Sequence, residues 1–430
     1  MPDVRPKIMI ASLGTRGDVQ PYVSLAGELN RIGVDVVVST GEGFEDMIEQ
    51  AGARARPVPV NYQALLQKPE IREALHSLKG MIKAARQSIA LQRDVARVLW
   101  ETGLDEKPSL ILFNLKATVM TLVGRRLAVP TLPTALQPAT TPTGDFPLPL
   151  FGLPAMGSFL NRKSFGVGRM LMKAGLRPLL NPLKLEAGHE LAMSGSSIDG
   201  FMPNNQKALT LQAFSRALVP TPEDWSAENW QCGYWFTEPD AEYQAPEDLA
   251  RFLEAGEPPV YLGFGSMPSR DPGDLTRTVI GALEKTGQRA VLATGWGGLL
   301  KEELPAELSE RVFLIDKAPH SWLFPKCAGI VHHGGAGTTH EAVRWGKPSL
   351  VCPVFGDQPF WGERIFRIGA GPEPIRQKKL TPDNLAKALK DLENPTYGQG
   401  AEAARQIIEQ EPGARGTASR VLSLVSKDVT

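Results

Sequence analysis

Short apolar runs alternate with longer amphipathic stretches along the chain. Lys7–Leu13 (KIMIASL), Asp35–Thr40 (DVVVST), Ser109–Asn114 (SLILFN) and Thr131–Leu136 (TLPTAL) are mostly continuous rather than alternating, and Gly, Pro or Asn bounds them. That is the pattern of strands buried on both faces of a parallel sheet. Between the second and third, Ile71, Leu75, Leu78, Ile82, Ala85 and Ile89 recur at three- and four-residue spacing, which predicts one face of a helix. The second half repeats the arrangement. Val260–Ser266, Arg289–Thr294, Val312–Asp316, Gly329–His333 and Ser349–Val354 predict strands. Helical patterns separate them, one of which opens with Thr381 as cap and Pro382 in the first turn. Two successive βαβ arrays predict an α/β protein of two doubly wound, Rossmann-like domains. The boundaries read as 1–219 for the first domain, 220–259 for a Pro- and Trp-containing linker, and 260–430 for the second.

Length agrees, since 430 residues exceed one ordinary core. Composition narrows the class. The chain is 42% hydrophobic and 22% charged, ordinary for a globular protein. Lys plus Arg equals Asp plus Glu at 47 each, which gives no reason to expect nucleic acid as a partner. Cys232, Cys327 and Cys352 are scattered, so neither a disulfide framework nor a zinc site is expected. The N-terminus has no apolar run of signal-peptide length, and no segment offers about 18 uncharged apolar residues. A cytoplasmic, soluble protein is expected.

One region departs from the alternation. Pro147–Leu185 is rich in Pro, Phe, Met, Leu and Gly, and carries Arg162, Lys163, Arg169, Lys173, Arg177 and Lys184 without an acidic residue. It fits an insertion with a solvated basic face, a greasy lid over an apolar ligand, or a patch touching anionic lipid.

Three glycine-rich turns follow predicted strands, where open α/β sheets bind ligands. They are Gly14–Pro21 (GTRGDVQP), Gly263–Asp271 (GFGSMPSRD) and His332–Ala342 (HHGGAGTTHEA). In the last, glycines permit close approach of an anion. The N–H groups and dipole at a helix start favour phosphate there, and Thr338 and Thr339 add hydroxyls. A structural glycine turn with core histidines is the alternative. The spacing is neither the dinucleotide fingerprint nor a Walker loop. His332 and His333 are strand neighbours pointing to opposite faces, so no metal site is expected from them. Asp357 and Gln358 follow another strand and suit sugar hydroxyls, or serve only a loop turn. Asp18 reads equally as the N-cap of the following helix or as a carboxylate that takes a proton from an acceptor hydroxyl.

These residues, in this order, resemble the nucleotide-sugar-dependent family 1 glycosyltransferases of the two-domain GT-B fold, closest to the sterol glucosyltransferases and related antibiotic glycosyltransferases. The stretches carrying the resemblance span nearly the whole chain: GTRGDVQPYVSLAGEL, FSRALVPTPEDW followed by GYWF, YLGFGSMP, TGWGGL, the run from Ala318 to Gly362, and GAGPEPI. In this family the last helix can cross back to the first domain. The resemblance implies that His333 and Ser266 contact the donor diphosphate, with Gly335, Gly337 and Thr338 around the phosphates. It implies Glu341 on the ribose, Asp357 with Gln358 on the sugar, and Ala318 to His320 around the base. Asp18 falls at the acceptor-activating position, where many plant and animal relatives carry a His assisted by an Asp. His332 is expected to pack beneath the loop, and His340 to be structural or exposed.

The implied reaction is inverting, needs no cofactor or metal, and moves a hexose from a nucleotide-sugar donor to a hydrophobic small-molecule acceptor such as a sterol, triterpenoid or polyketide. UDP-glucose is the donor expected from the sterol branch, and a dTDP-deoxysugar from the antibiotic branch. The acceptor pocket is expected in the first domain, lined from the 60–100 helix and by Phe159, Phe165, Met170 and Met172, with weak membrane-surface contact as a further reading of that segment. A nucleotide-sugar epimerase and a non-catalytic nucleotide-sugar sensor are the competing classes.

Overall fold

A computed structural model describes residues 5–68, 71, 80, 87–186, 209–239, 243–264, 272–294, 305 and 308–426. The first sheet holds seven parallel strands: β1 (Lys7–Ala11), β2 (Asp35–Gly41), β3 (Arg54–Val58), β4 (Leu110–Phe113), β5 (Thr131–Ala135), β6 (Thr210–Gln212) and β7 (Asn229–Gln231), in the order β3-β2-β1-β4-β5-β6-β7. The second holds β8 (Val260–Gly263), β9 (Ala290–Ala293), β10 (Val312–Ile315), β11 (Gly329–His332) and β12 (Ser349–Val351), also parallel, in the order β10-β9-β8-β11-β12. Every strand expected from the apolar runs is present, within a few residues at its end. The sequence pattern misses β3, β6 and β7. β3 (RARPV) is a charged edge strand, and the other two are three residues long. β7 lies inside the stretch expected as a linker, so the first sheet continues to Gln231.

Burial on both faces explains the continuous apolar runs. Ile8, Ile10, Val36, Val38, Leu110 and Leu112 enter one core, and Met9, Ala11, Ile111 and Phe113 enter the other. The second sheet divides likewise, with Leu262 and Leu292 on one side and Tyr261 and Val291 on the other.

Six helices position the site: α1 (Arg16–Arg31), α2 (Ile89–Glu106), α3 (Ser158–Glu186), α4 (Ala336–Arg344), α5 (Gln358–Arg367) and α6 (Gly413–Ser426). Of the amphipathic stretch from Ile71 to Ile89, Leu75, Leu78, Ile82 and Ala85 lie outside the described residues. The final helix packs on the first domain. Ala414, Ala418, Val421 and Val425 share a core with Tyr22, Leu25 and Leu29 of α1, and Trp235 donates to Thr417 at 3.1 Å. The two halves also share apolar core: Phe146 meets Phe360 edge-on with ring centroids 5.3 Å apart. Among the described residues no helix is long and apolar enough to cross a membrane.

At the far end of the first sheet, under the N-terminal ends of its strands, Glu106 closes α2. Its carboxylate accepts from Lys7, Arg54 and Arg56 at 3.2, 3.0 and 2.7 Å. Burial raises its pKa, but these hydrogen bonds outweigh burial and hold the carboxyl at about 2.

Candidate active site

In each sheet the strand order reverses at one place, between β1 and β4 in the first and between β8 and β11 in the second. Connections leave such a point in opposite directions and open a crevice at the carboxyl ends of the strands. Asp18 lies at the first of these points, after β1, and the turn from His333 to Gly337 lies at the second, after β11.

Asp18 follows β1. Helix α1 begins three residues earlier than its apolar pattern suggests, with Thr15 as N-cap, so Asp18 is the third helical residue and closes a capping box. Asp18 is therefore not the N-cap itself. Its Oδ2 accepts from Thr15 N–H at 2.9 Å and from Lys116 Nζ at 2.9 Å, with the Thr15 hydroxyl at 3.4 Å. Its Oδ1 has no partner among the described residues. Lys116 comes from the single 3-10 turn after β4, Leu115–Ala117, which Asn114 caps. Asn114 also fixes the β1 turn, its amide donating to Ser12 Oγ and Leu13 O at 3.0 Å each. Asp18 thus has one oxygen anchored and one open, in a side chain 28% exposed.

The second turn follows β11. Gly334 has φ +91°, and a Cβ there would stand 2.6 Å from Val351 Cγ1 and 2.9 Å from Gln358 O. Only glycine makes this turn. The ring of His333 lies against Gly335, where a Cβ would meet its Nε2 at 2.7 Å. Helix α4 starts at Ala336 without a side-chain cap, which leaves its first N–H groups for a ligand. Gly337 keeps space for the Tyr234 hydroxyl, 3.0 Å from where its Cβ would be. The Thr339 hydroxyl is taken by Gly335 O at 2.9 Å, and Thr338 is half-buried beside it. His332 is fully buried beneath the loop. Its Nδ1 accepts from Gly334 N–H at 3.1 Å, while its Nε2 is buried without a partner among the described residues. Burial lowers the His333 pKa to about 4, so the ring is neutral near pH 7.

His340 is buried rather than exposed. Nδ1 is 2.7 Å from Ala336 O and so carries the proton, and Nε2 accepts from Ser215 N–H at 3.1 Å. The ring stacks on Tyr234 at 4.3 Å and meets Trp361 edge-on at 4.9 Å. It ties helix α4 to the segment after β6 in the other domain.

The remaining positions divide by what their polar atoms already do. Glu341 accepts from Trp345 Nε1 at 2.7 Å, and burial raises its pKa, opposed by Arg344. Asp357 accepts from Trp361 Nε1 at 2.8 Å. Burial raises its pKa, the Trp361 bond opposes this, and Asp18 adds to the rise across the cleft. Gln358 Oε1 accepts from Val354 N–H at 2.7 Å and braces its loop, which leaves only the amide NH2 for a ligand. His320, in the short helix after Ala318, stacks on Phe324 at 4.3 Å. Burial, then Arg16 of the first domain, lowers its pKa to about 4. Ser266 lies outside the described residues. Among the described residues no group of three or more His, Cys, Asp or Glu side chains has the arrangement of a metal site.

The four residues expected at the acceptor differ in exposure. Phe159 and Met170 are 71% and 63% exposed, on the side of α3 turned away from the core. Phe165 is core, packed on Phe146, and Met172 packs half-buried against the same core. The helix carries apolar residues around most of its circumference, so the sequence pattern does not say which of them face inward. Sequence reasoning also missed Lys116, Gly334, Tyr234 and the Ser215–His340 bond. Gly334 was legible as one more glycine of the loop. Lys116 carried no signal, because only the adjacency of β1 and β4 brings it to Asp18.

Residues 8–140 match the glycosyltransferase family 28 N-terminal domain, and residues 300–424 the erythromycin biosynthesis protein CIII-like C-terminal domain. Over 95% of its length the chain is 31% and 32% identical to two sterol 3-beta-glucosyltransferases of Arabidopsis thaliana, of which it spans 64% and 66%. Among solved structures, it is similar to the calicheamicin glycosyltransferase CalG4 (TM-score 0.70, 18% identity, 98% of this chain and 99% of that one). It is also similar to the glycosyltransferase VinC in complex with DTDP (TM-score 0.67, 19% identity, 98% of this chain and all of that one). At these identities the structures establish the fold.

Proposed function

This chain belongs to the family 1 glycosyltransferases of the GT-B fold, and from that premise we propose that it transfers a hexose from a nucleoside-diphosphate sugar to a hydroxyl of an apolar acceptor, with inversion. The observation that carries the reading is Asp18: a carboxylate at the switch point of the first sheet, with Oδ2 held by Thr15 and Lys116 and Oδ1 open. A general base needs this combination of fixed orientation and a free lone pair.

The acceptor oxygen attacks the anomeric carbon from the face opposite the diphosphate. The new C–O bond forms as the bond from carbon to phosphate oxygen breaks, and the acceptor proton passes to Asp18 Oδ1. Negative charge developing on the leaving diphosphate is met by the N–H groups starting α4 and by a His333 ring N–H, in place of a metal ion. Asp357 and the Gln358 amide are assigned to the sugar, Glu341 to the ribose, and the backbone from Ala318 to His320 to the base. Ser266 is assigned a donor phosphate on the family resemblance alone.

The plant relatives are named as sterol 3-beta-glucosyltransferases, which supports UDP-glucose and a sterol-like alcohol. VinC was solved with DTDP, which supports a second reading with a dTDP-sugar. Incubating the chain with UDP-glucose or a dTDP-sugar, and with one sterol or one polyketide alcohol, distinguishes them by product mass. The expected product is the alcohol plus one hexose. An epimerised sugar nucleotide, or nucleotide binding without turnover, overturns the reading.

A further inference from the structure

Among the described residues, eleven large hydrophobic side chains are more than about a third exposed, and eight of them fall between Leu150 and Leu171. Single exposed apolar residues need no explanation, but a contiguous group of this kind marks an interaction surface. With successive residues about 100° apart around a helix, Phe159, Leu160, Val167, Met170 and Leu171 share one arc of about 120° on α3. Phe165, Met172, Leu176 and Leu179, turned toward the core, lie nearly opposite. Lys163 stands within the apolar arc, its ammonium 5.3 Å from the centroid of the Phe159 ring. Arg169 and Lys173 border the arc on one side. No acidic residue occurs from Pro147 to Leu185. The ion pair of Arg162 with Asp224 at 2.7 Å fastens the start of the helix to the domain and keeps the outer face presented.

We propose that the outer face of α3, with the turn before it, is a docking surface for an anionic lipid bilayer. An apolar arc edged by Lys and Arg is the pattern of a helix lying in the plane of a membrane interface, its rings among the acyl chains and its cations at the headgroups. Charge decides the occupant. Two copies of this face would set Lys163, Arg169 and Lys173 against the same cations, whereas an anionic surface complements them. The inner side of the segment reaches the cleft: Phe146, packed on Phe165, meets Phe360 of α5 beside Asp357 and Gln358. An acceptor dissolved in the bilayer would enter beside the sugar loop. That role in delivery rests on the proposed function, while the docking itself does not.

The test is flotation of the full chain with vesicles of phosphatidylcholine alone or mixed with phosphatidylglycerol, at low and high salt. Wild type is expected to bind the anionic vesicles and to lose binding with salt. Lys163→Glu with Arg169→Glu is expected to weaken partitioning by at least about fivefold for each charge removed. Leu160→Ser with Leu171→Ser is expected to lower it as well. Lys163, Leu160 and Leu171 are exposed and Arg169 is half-buried at the edge of the arc, so melting temperature and UDP affinity should hold. Wild type that ignores anionic vesicles overturns the proposal, as does binding that neither pair of substitutions reduces. A dimer in light scattering that the serine variants dissolve would instead make the face a self-interface. Vesicle binding without sugar transfer would leave the docking surface standing and reject the proposed function; transfer to a water-soluble acceptor without vesicle binding would do the reverse.

Discussion

Replacing Asp18 with Asn separates chemistry from structure more cleanly than any other change in the molecule. Asn has nearly the same size, and its carbonyl oxygen can still accept the Thr15 N–H that closes the capping box at 2.9 Å. What folding loses is the charge of the pair with Lys116, whose side chain is 52% exposed. Such solvent-facing pairs contribute about 0–1 kcal/mol, which lowers the melting temperature by a few degrees at most in a chain of this size. What catalysis loses, in the proposed mechanism, is the proton acceptor. Removing a general base costs about 10²–10⁴-fold, or about 3–5 kcal/mol on the barrier. The loss in activity should therefore exceed the loss in stability several-fold in free energy. Three measurements are needed: initial rates of product formation at saturating donor, UDP affinity by calorimetry, and thermal melting. The expected result is a collapse in turnover with affinity and melting nearly unchanged. Turnover close to wild type would make Asp18 a capping-box acid and nothing more. A drop in melting temperature large enough to account for the lost activity would refute the reasoning equally.

Four further outcomes follow from the structure. His333→Ala should lower both donor affinity and turnover, because the phosphate contact proposed for the ring would act in the ground state as well as in the transition state; calorimetry with UDP that detects no loss would move the phosphate contact elsewhere. Gln358→Ala should lower melting temperature as well as sugar discrimination, because Oε1 braces Val354; Asp357→Ala should weaken UDP-glucose binding more than UDP binding, and equal losses would place Asp357 in the nucleotide site or the fold. Glu106→Gln should destabilise the first domain by roughly 1.5–3 kcal/mol at pH 7, the scale of hydrogen bonds to a charged group. Because the folded pKa is depressed to about 2 from an ordinary value near 4.5, this contribution is complete above pH 4.5 and is lost as pH falls toward 2. Denaturation of wild type and variant should therefore converge over that window, and a constant gap would show that the carboxylate charge is not what stabilises.

The sequence by itself determined the α/β class, the succession of strands and the glycine turns, because these depend on local properties. A strand buried on both faces must be apolar at every position, as Ile8 to Ala11 are, and a turn at φ +91° must be glycine, as Gly334 is. The same locality explains the misses. β3 sits at a sheet edge where charges are tolerated, and the three residues of β6 or β7 are too few to make a pattern. Only the tertiary structure decided what meets what. Lys116 reaches Asp18 across 98 residues because β1 and β4 are neighbours. His340 holds Ser215 across 125 because α4 faces the other domain. The outward face of α3 was likewise invisible in a helix apolar nearly all around. Phe159 and Phe165 are the same residue type in one helix, yet one is 71% exposed and the other 1%. Side-chain chemistry is written in the sequence, but the direction in which each side chain faces is fixed only when the neighbouring element packs against it.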